Sequence, residues 1–134
     1  MKAKIIQKYS KYTISKLVQI AQKHFNKCIR LRDIDLACIS CGSRSTLEAG
    51  HFYSAGHYSA LRFNEDNVNG QCKKCNQHLS GNLIEYQKGL IKKVGQDRVD
   101  ELHALSEAYK RMNFKWDRFS LIETIEKYKS LNKT

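Results

Sequence analysis

Proline is absent from this chain of 134 residues, and glycine occurs only seven times. No Pro-rich or Gly/Ser-rich stretch is present to act as a linker, and the length suits a single domain with little core to spare. There is no low-complexity tract and no internal repeat; the two Cys-x-x-Cys pairs have unlike flanks. Apolar runs are a few residues long, far short of a membrane span, so no membrane partner is expected. The basic start, Met1-Lys-Ala-Lys-Ile-Ile-Gln-Lys, lacks the apolar segment of a secretory signal. The expected location is therefore the cytoplasm, where thiols stay reduced. Five cysteines is an odd number, which argues further against a disulfide scaffold.

Acidic residues are missing from residues 1–32, which carry nine basic ones. That segment holds +9 of the formal +11, and the remainder of the chain only +2. A concentrated basic arm points to a polyanion, and nucleic acid is the expected partner. Lys8, Lys11, Lys16, Lys23, Lys27 and Arg30 are its candidate phosphate contacts. The bland alternative is a solvated basic helix.

Two cysteine pairs flank one histidine: Cys38-Ile-Ser-Cys41, then His51, then Cys72-Lys-Lys-Cys75 followed by Asn76. Two thiolates three positions apart across a tight turn can both reach a tetrahedral metal. Four such thiolates make a closed structural site for one Zn2+ and leave no open coordination position. Any chemistry must then come from what the metal holds in place. Cys28 falls on the apolar stripe of a predicted helix and reads as a buried core thiol.

That helix starts at a cap on Thr13 or Ser15 and runs through Arg32, with Leu17, Val18, Ala21, Phe25 and Ile29 at three-and-four spacing. From Asp33 to Asn82 the periodicity vanishes. Thr46–Tyr53 is expected as one short strand and Ala60–Phe63 as a second. A short helix then opens at Cys75 and ends at Gly81, Asn82 caps a helix over Leu83–Val94, and Gly95 closes it. Asp97 opens another through about Met112, and Ser120 caps a last one to Leu131. The predicted fold is α+β: a zinc-clamped core of treble-clef or ββα-metal type with a two-stranded hairpin, packed by four to five helices. It is expected as one domain, with a basic helix over 1–32, the zinc core over 33–82 and C-terminal helices over 83–134.

His51, Asn67 and Asn76 follow the order of an HNH-type nuclease site in its His-Asn-Asn form. A histidine can remove a proton from water at neutral pH. An amide oxygen suits one catalytic Mg2+ or Mn2+ better than zinc, and Asn67 is expected to brace the loop that aims His51. Many such sites place an acidic residue or a histidine immediately before the base, where this chain has Gly50. Glu48 is then the leading oxygen ligand, provided a bulge at Gly50 brings it round. Two assignments stay open: His51 as base, or His51 as metal ligand with His57 activating water. His78 is a candidate supporting contact, and Arg62, Lys73 and Lys74 are further candidates for touching DNA.

The text Cys38-Ile-Ser-Cys-Gly42, Ala49-Gly-His-Phe52, Leu61-Arg-Phe63, Gln71-Cys-Lys-Lys-Cys-Asn-Gln-His78 and Ser80-Gly-Asn-Leu83 resembles the phage lambda NinG (Rap) family over about Phe25–Glu101. The resemblance implies a metal-dependent endonuclease cutting branched DNA, such as D-loops and Holliday junctions, in phage recombination within the bacterial cytoplasm. By analogy with junction resolvases it also implies a homodimer. NinG-like proteins usually carry a further Cys-rich N-terminal part that is expected to be missing here. The rival from another class is a non-catalytic zinc finger that binds DNA or serves a replication protein.

Overall fold

A computed structural model describes residues 2–134. Its elements run α1 (Ala3–Lys8), α2 (Ile14–Arg32), β1 (Leu47–His51), β2 (Val68–Cys72), α3 (Leu83–Val94), α4 (Gln96–Lys110) and α5 (Arg118–Leu131). Single helical turns stand at Ser59–Leu61 and Lys74–His78. The chain divides into two compact units, Met1–Cys28 with Lys115–Thr134, and Ile29–Phe114.

The first unit is helical. Thr13 Oγ1 accepts the Lys16 amide at 3.1 Å and so caps α2, one of the two expected caps. The three-and-four spacing of Leu17, Ala21 and Phe25 puts all three on one face, and all three are buried. Phe25 meets Tyr128 of α5 edge to face, ring centres 4.8 Å apart. The cap of α5 is Asp117, whose carboxylate accepts the Ser120 amide at 2.8 Å. Ser120 is therefore inside the helix and not its cap, because a carboxylate three residues earlier reaches its orphan amide.

The second unit holds the hairpin. β1 pairs antiparallel with β2, from Leu47 opposite Cys72 to His51 opposite Val68. The second strand is thus Val68–Cys72; of Ala60–Phe63, expected as a strand, the first two residues close a 3-10 turn that buries Leu61, and Arg62 and Phe63 follow as a turn. The reason is visible in burial: every residue of β2 is buried, Asn69 and Gln71 included, so no apolar/polar alternation marks it. Leu61 joins Tyr86, Leu90, Val99 and Leu102 in the core cluster, which packs α3 and α4 together beneath the hairpin. Gly95, at φ +92°, makes the turn between those helices.

Candidate functional site

The sulfurs of Cys38, Cys41, Cys72 and Cys75 all lie within 4.8 Å of one another. Four thiolates about 2.3 Å from a tetrahedral zinc sit about 3.8 Å apart, and Cys41 Sγ and Cys72 Sγ are 3.7 Å apart. The donor set fits one zinc ion. Each pair is held by its own backbone. In the first, the Gly42 amide donates to the Cys38 carbonyl at 2.9 Å, with Gly42 at φ +76° where a side chain would be strained. In the second, the Cys75 amide donates to Cys72 Sγ at 3.4 Å. Ser43, its hydroxyl 3.3 Å from the sulfur, holds the Cys41 thiol down to about 6, whereas burial pushes Cys75 up to about 12. All four would serve a bound cation as thiolates, which would remove that conflict. Asn82, read as a helix cap, has φ +44° and makes no cap bond; its amide instead donates to Cys75 Sγ at 3.5 Å. Cys28 is half-buried and is no part of the cluster.

From the cluster the two strands run to His51. Asn67, fully buried, pins the segment after it: its Oδ1 accepts the Tyr53 amide at 2.8 Å, and its Nδ2 donates to the carbonyls of Tyr53 and Leu61 at 3.0 and 3.1 Å. Leu61 lies next to Arg62, whose carbonyl oxygen is 3.1 Å from His51 Nε2. A carbonyl can only accept, so Nε2 carries the hydrogen and Nδ1 of the neutral ring keeps a lone pair. Burial lowers the pKa of His51 below 6.5, the Arg62 carbonyl offsetting this only in part. His51 is thus held as a neutral imidazole near pH 7.

Glu48 meets Asn76 and Gln77. Asn76 Nδ2 donates to Glu48 Oε1 at 2.8 Å, and Gln77 Nε2 reaches the two carboxylate oxygens at 2.9 and 2.8 Å. The Asn76 contact leads the causes that lower the Glu48 pKa, so the carboxylate is ionised at neutral pH. The pair forms without a bulge, since β1 and β2 stay in one-to-one register through Gly50. The expected bulge is therefore absent. A Cβ at Gly50 would lie 2.0 Å from Gln71 Oε1 and 2.9 Å from Gln71 Cβ, so the strand is closed to any side chain there. Strand alternation turns Glu48 to the face opposite His51, and the hydrogen bonds of His51 end at Arg62.

The other candidates scatter. His57 is exposed and bonds Ser54 Oγ through Nδ1 at 3.1 Å; His78 is exposed on the turn after Cys75. Arg62 is half-buried, with Nη2 on the Ala55 carbonyl at 3.1 Å, whereas Lys73 and Lys74 are exposed. Lys8, Lys11, Lys16, Lys23, Lys27 and Arg30 are exposed as well.

Three supports escaped the sequence reading. Tyr86, placed correctly on the inner face of α3, also donates its hydroxyl to the Gly50 carbonyl at 2.7 Å, next to His51. Asp33 is buried and accepts from the Gly70 amide at 2.8 Å, from Arg32 Nε and Nη2 at 2.8 Å and from Lys93 Nζ at 2.9 Å. Burial alone would raise its pKa, but these donors outweigh it and hold the group at about 2. The third is Tyr53, whose hydroxyl bonds His103 Nδ1, with His103 Nε2 on Gln87 at 2.9 Å. Only Tyr86 lay on a readable pattern, and no periodicity announces a hydroxyl's partner.

Compared with known proteins, residues 2–134 match the model of a family described as "Bacteriophage Lambda NinG protein". The chain is 46% identical over 89 residues to Protein ninG of Escherichia phage lambda. It is 45% identical over the same length to Protein ninG of Escherichia phage 933W and 44% to that of Salmonella phage P22. Each alignment covers 65% of this chain and 44% of the relative, so the chain spans less than half the length of the curated relatives it matches. No solved structure matches it.

Proposed function

We propose that this chain, which belongs to the bacteriophage lambda NinG family, is a metal-dependent DNA endonuclease of the HNH type. The observation that carries the reading is the anchoring of His51: Nε2–H is bound to the Arg62 carbonyl, and Asn67 staples the loop in between. A neutral, immobilised imidazole with Nδ1 available is what a general base for water requires. The hairpin with its following helical turn serves as the ββα-metal unit, and the zinc ion clamps its ends.

Glu48 and Asn76 would hold the catalytic Mg2+ or Mn2+. They bring together an ionised carboxylate and a side-chain amide whose Nδ2 now donates to it at 2.8 Å; the carboxylate and the amide oxygen are both hard ligands. Such an ion supplies charge stabilisation at the scissile phosphate. To ligate it, Asn76 must turn its Oδ1 toward the carboxylate side, and Glu48 must release the Gln77 amide. Tyr86 and Asn67 fix the backbone on either side of His51, so the base is aimed before substrate arrives. Exposed lysines of α1 and α2 supply contacts to the phosphate backbone. Branched recombination DNA, cut by a homodimer, is the substrate arrangement we favour from the family resemblance.

One observation favours a second reading, a zinc-stabilised DNA-binding module. Alternation along β1 separates His51 from the Glu48–Asn76 pair. Cleavage of a labelled four-way junction, with and without Mg2+, decides between them. His51→Ala is expected to keep zinc and junction binding while losing cleavage by roughly two to four orders of magnitude. Because burial lowers the His51 pKa, the rise of rate with pH should have its midpoint below 6.5. Wild-type cleavage by His51→Ala, or a midpoint well above that value, would overturn the assignment of the base.

A further inference from the structure

The helical unit carries a cleft of about 400 Å3 that the histidine site does not use. Its floor is apolar and aromatic, formed by Tyr9, Tyr12, Ile20 and Ile125. Its rim is basic, with Lys8 and Lys11 from the first part of the chain and Lys129 from α5. The ammonium groups stand over the rings: Lys8 Nζ is 5.4 Å from the Tyr9 ring centre, and Lys11 Nζ 5.3 Å from that of Tyr12.

One carboxylate lies among them. Glu126 takes the Tyr9 hydroxyl and lies 4.0 Å from Lys8 and 3.9 Å from Lys129, too few negative charges for three lysines. The crowding registers on its neighbours. The Lys129 amine is held below its ordinary value, first by Lys8, and His24 below its own, first by burial and then by Lys129, Lys23 and Lys27. Cations crowded in this way favour an anion between them.

The tyrosines are also held in place. Arg118 of α5 donates to the Tyr9 carbonyl at 3.2 Å and to the Tyr12 carbonyl, fixing the turn that carries both rings. Tyr9 is buried, whereas Tyr12 is half-buried and offers part of its ring to the cleft. A rim of lysines alone would serve any phosphate backbone. A fixed ring beside it adds a partner for one flat, unstacked base.

We propose that this cleft binds one unstacked nucleotide of a single DNA strand, with its base against Tyr12 and its phosphate among Lys8, Lys11 and Lys129. The inference rests on the reading of the chain as a DNA-acting protein, but on none of the catalytic assignments. Branched DNA offers such nucleotides where strands part, and stacked duplex bases cannot reach the ring.

Fluorescence anisotropy of the whole zinc-loaded chain tests this, with a labelled oligothymidylate and a labelled duplex of equal length as probes. Tyr12→Ala should weaken single-strand binding by roughly tenfold and leave duplex binding within about twofold, whereas Tyr12→Phe should match the wild type on both. Lys129→Gln, a change at the rim, should lower the salt slope on the single strand by about 0.7. Equal losses on both probes, no loss at all, or a Tyr12→Phe defect as large as that of Tyr12→Ala would overturn the nucleotide site, as would an unchanged salt slope in Lys129→Gln. Wild-type protein that binds the duplex but not the single strand sinks this inference alone. Wild-type protein that binds neither probe sinks the DNA reading with it.

Discussion

The helical unit buries Leu17, Ala21, Phe25, Leu121, Ile122 and Ile125, an ordinary apolar set. The hairpin unit buries a different kind of residue beside its own apolar cluster: Asp33, Ser40, Asn67, Asn69, Gln71 and Ser106. Every buried serine, amide or carboxylate side chain among the described residues lies in that second unit; the first buries only tyrosines beside its apolar residues. Apolar burial is non-directional and stabilises any well-packed arrangement. Buried amides and carboxylates stabilise only when each partner is in place, and leaving one unpaired costs about 1–3 kcal/mol. The first kind of core makes a scaffold. The second fixes single atoms, such as the His51 Nε2–H and the Asn67 amide, to within a hydrogen bond's tolerance.

The largest test of that contrast is removal of the metal. A small zinc-dependent core draws much of its folding energy from the ion. Cys72→Ser, or chelation of the wild type, is therefore expected to abolish zinc binding and expose the amides of Leu47–Cys72 to hydrogen exchange. Amides in the middle of α2 and α5, held by apolar packing, should stay protected. Cys28→Ser should retain one zinc per chain by metal analysis. If α5 loses protection together with the hairpin, the two units do not differ in what holds them.

The same contrast decides what could be read from the residues. Apolar side chains at three-and-four spacing announce a helix, so α2, α3 and α4 emerge within a few residues of their ends. The metal cysteines are equally plain, because ligand spacing is itself a geometric constraint. β2 is not legible: Val-Asn-Gly-Gln-Cys is buried on both faces by specific hydrogen bonds, for which hydropathy has no signature. The short run Ala60–Phe63 offered a better-looking strand and folded as the end of a 3-10 turn and the turn that follows it. Glu48 meeting Asn76 could be suspected from chemistry, yet the means could not. An unbulged strand delivers the carboxylate, and Gln71 fills the space a residue larger than Gly50 would need.

A second test weakens the polar core while leaving the metal ligands alone. Asp33 ties the end of α2 to β2 through the Gly70 amide and to α3 through Lys93. Removing a buried partner leaves its cations unpaired; Arg32 and Lys93 reach solvent in part, so the cost falls near the low end of the range, about 3 kcal/mol for Asp33→Ala in urea unfolding at neutral pH. The sign of the pH dependence follows from the depressed pKa. The advantage of wild type over Asp33→Asn should be complete above the ordinary carboxylate value of 3.8 and shrink as the pH falls through about 2. Equal stability of the two at neutral pH would mean that the ion pairs are decoration.

The smallest effect is expected in the helical unit. Thr13 Oγ1 satisfies one orphan amide at the start of α2, that of Lys16. Thr13→Ala should cost about 1 kcal/mol and Thr13→Ser close to nothing, since serine offers the same oxygen. The loss should appear as faster exchange of amides in the first turn of α2, with zinc content and the exchange of β1 and β2 unchanged. An apolar ridge tolerates such fraying because Leu17, Ala21 and Phe25 have no bond angles to lose. Were Thr13→Ala instead to loosen the hairpin as much as Asp33→Ala does, directional precision would not be confined to the unit that buries the polar groups, and the contrast between the two cores would fail.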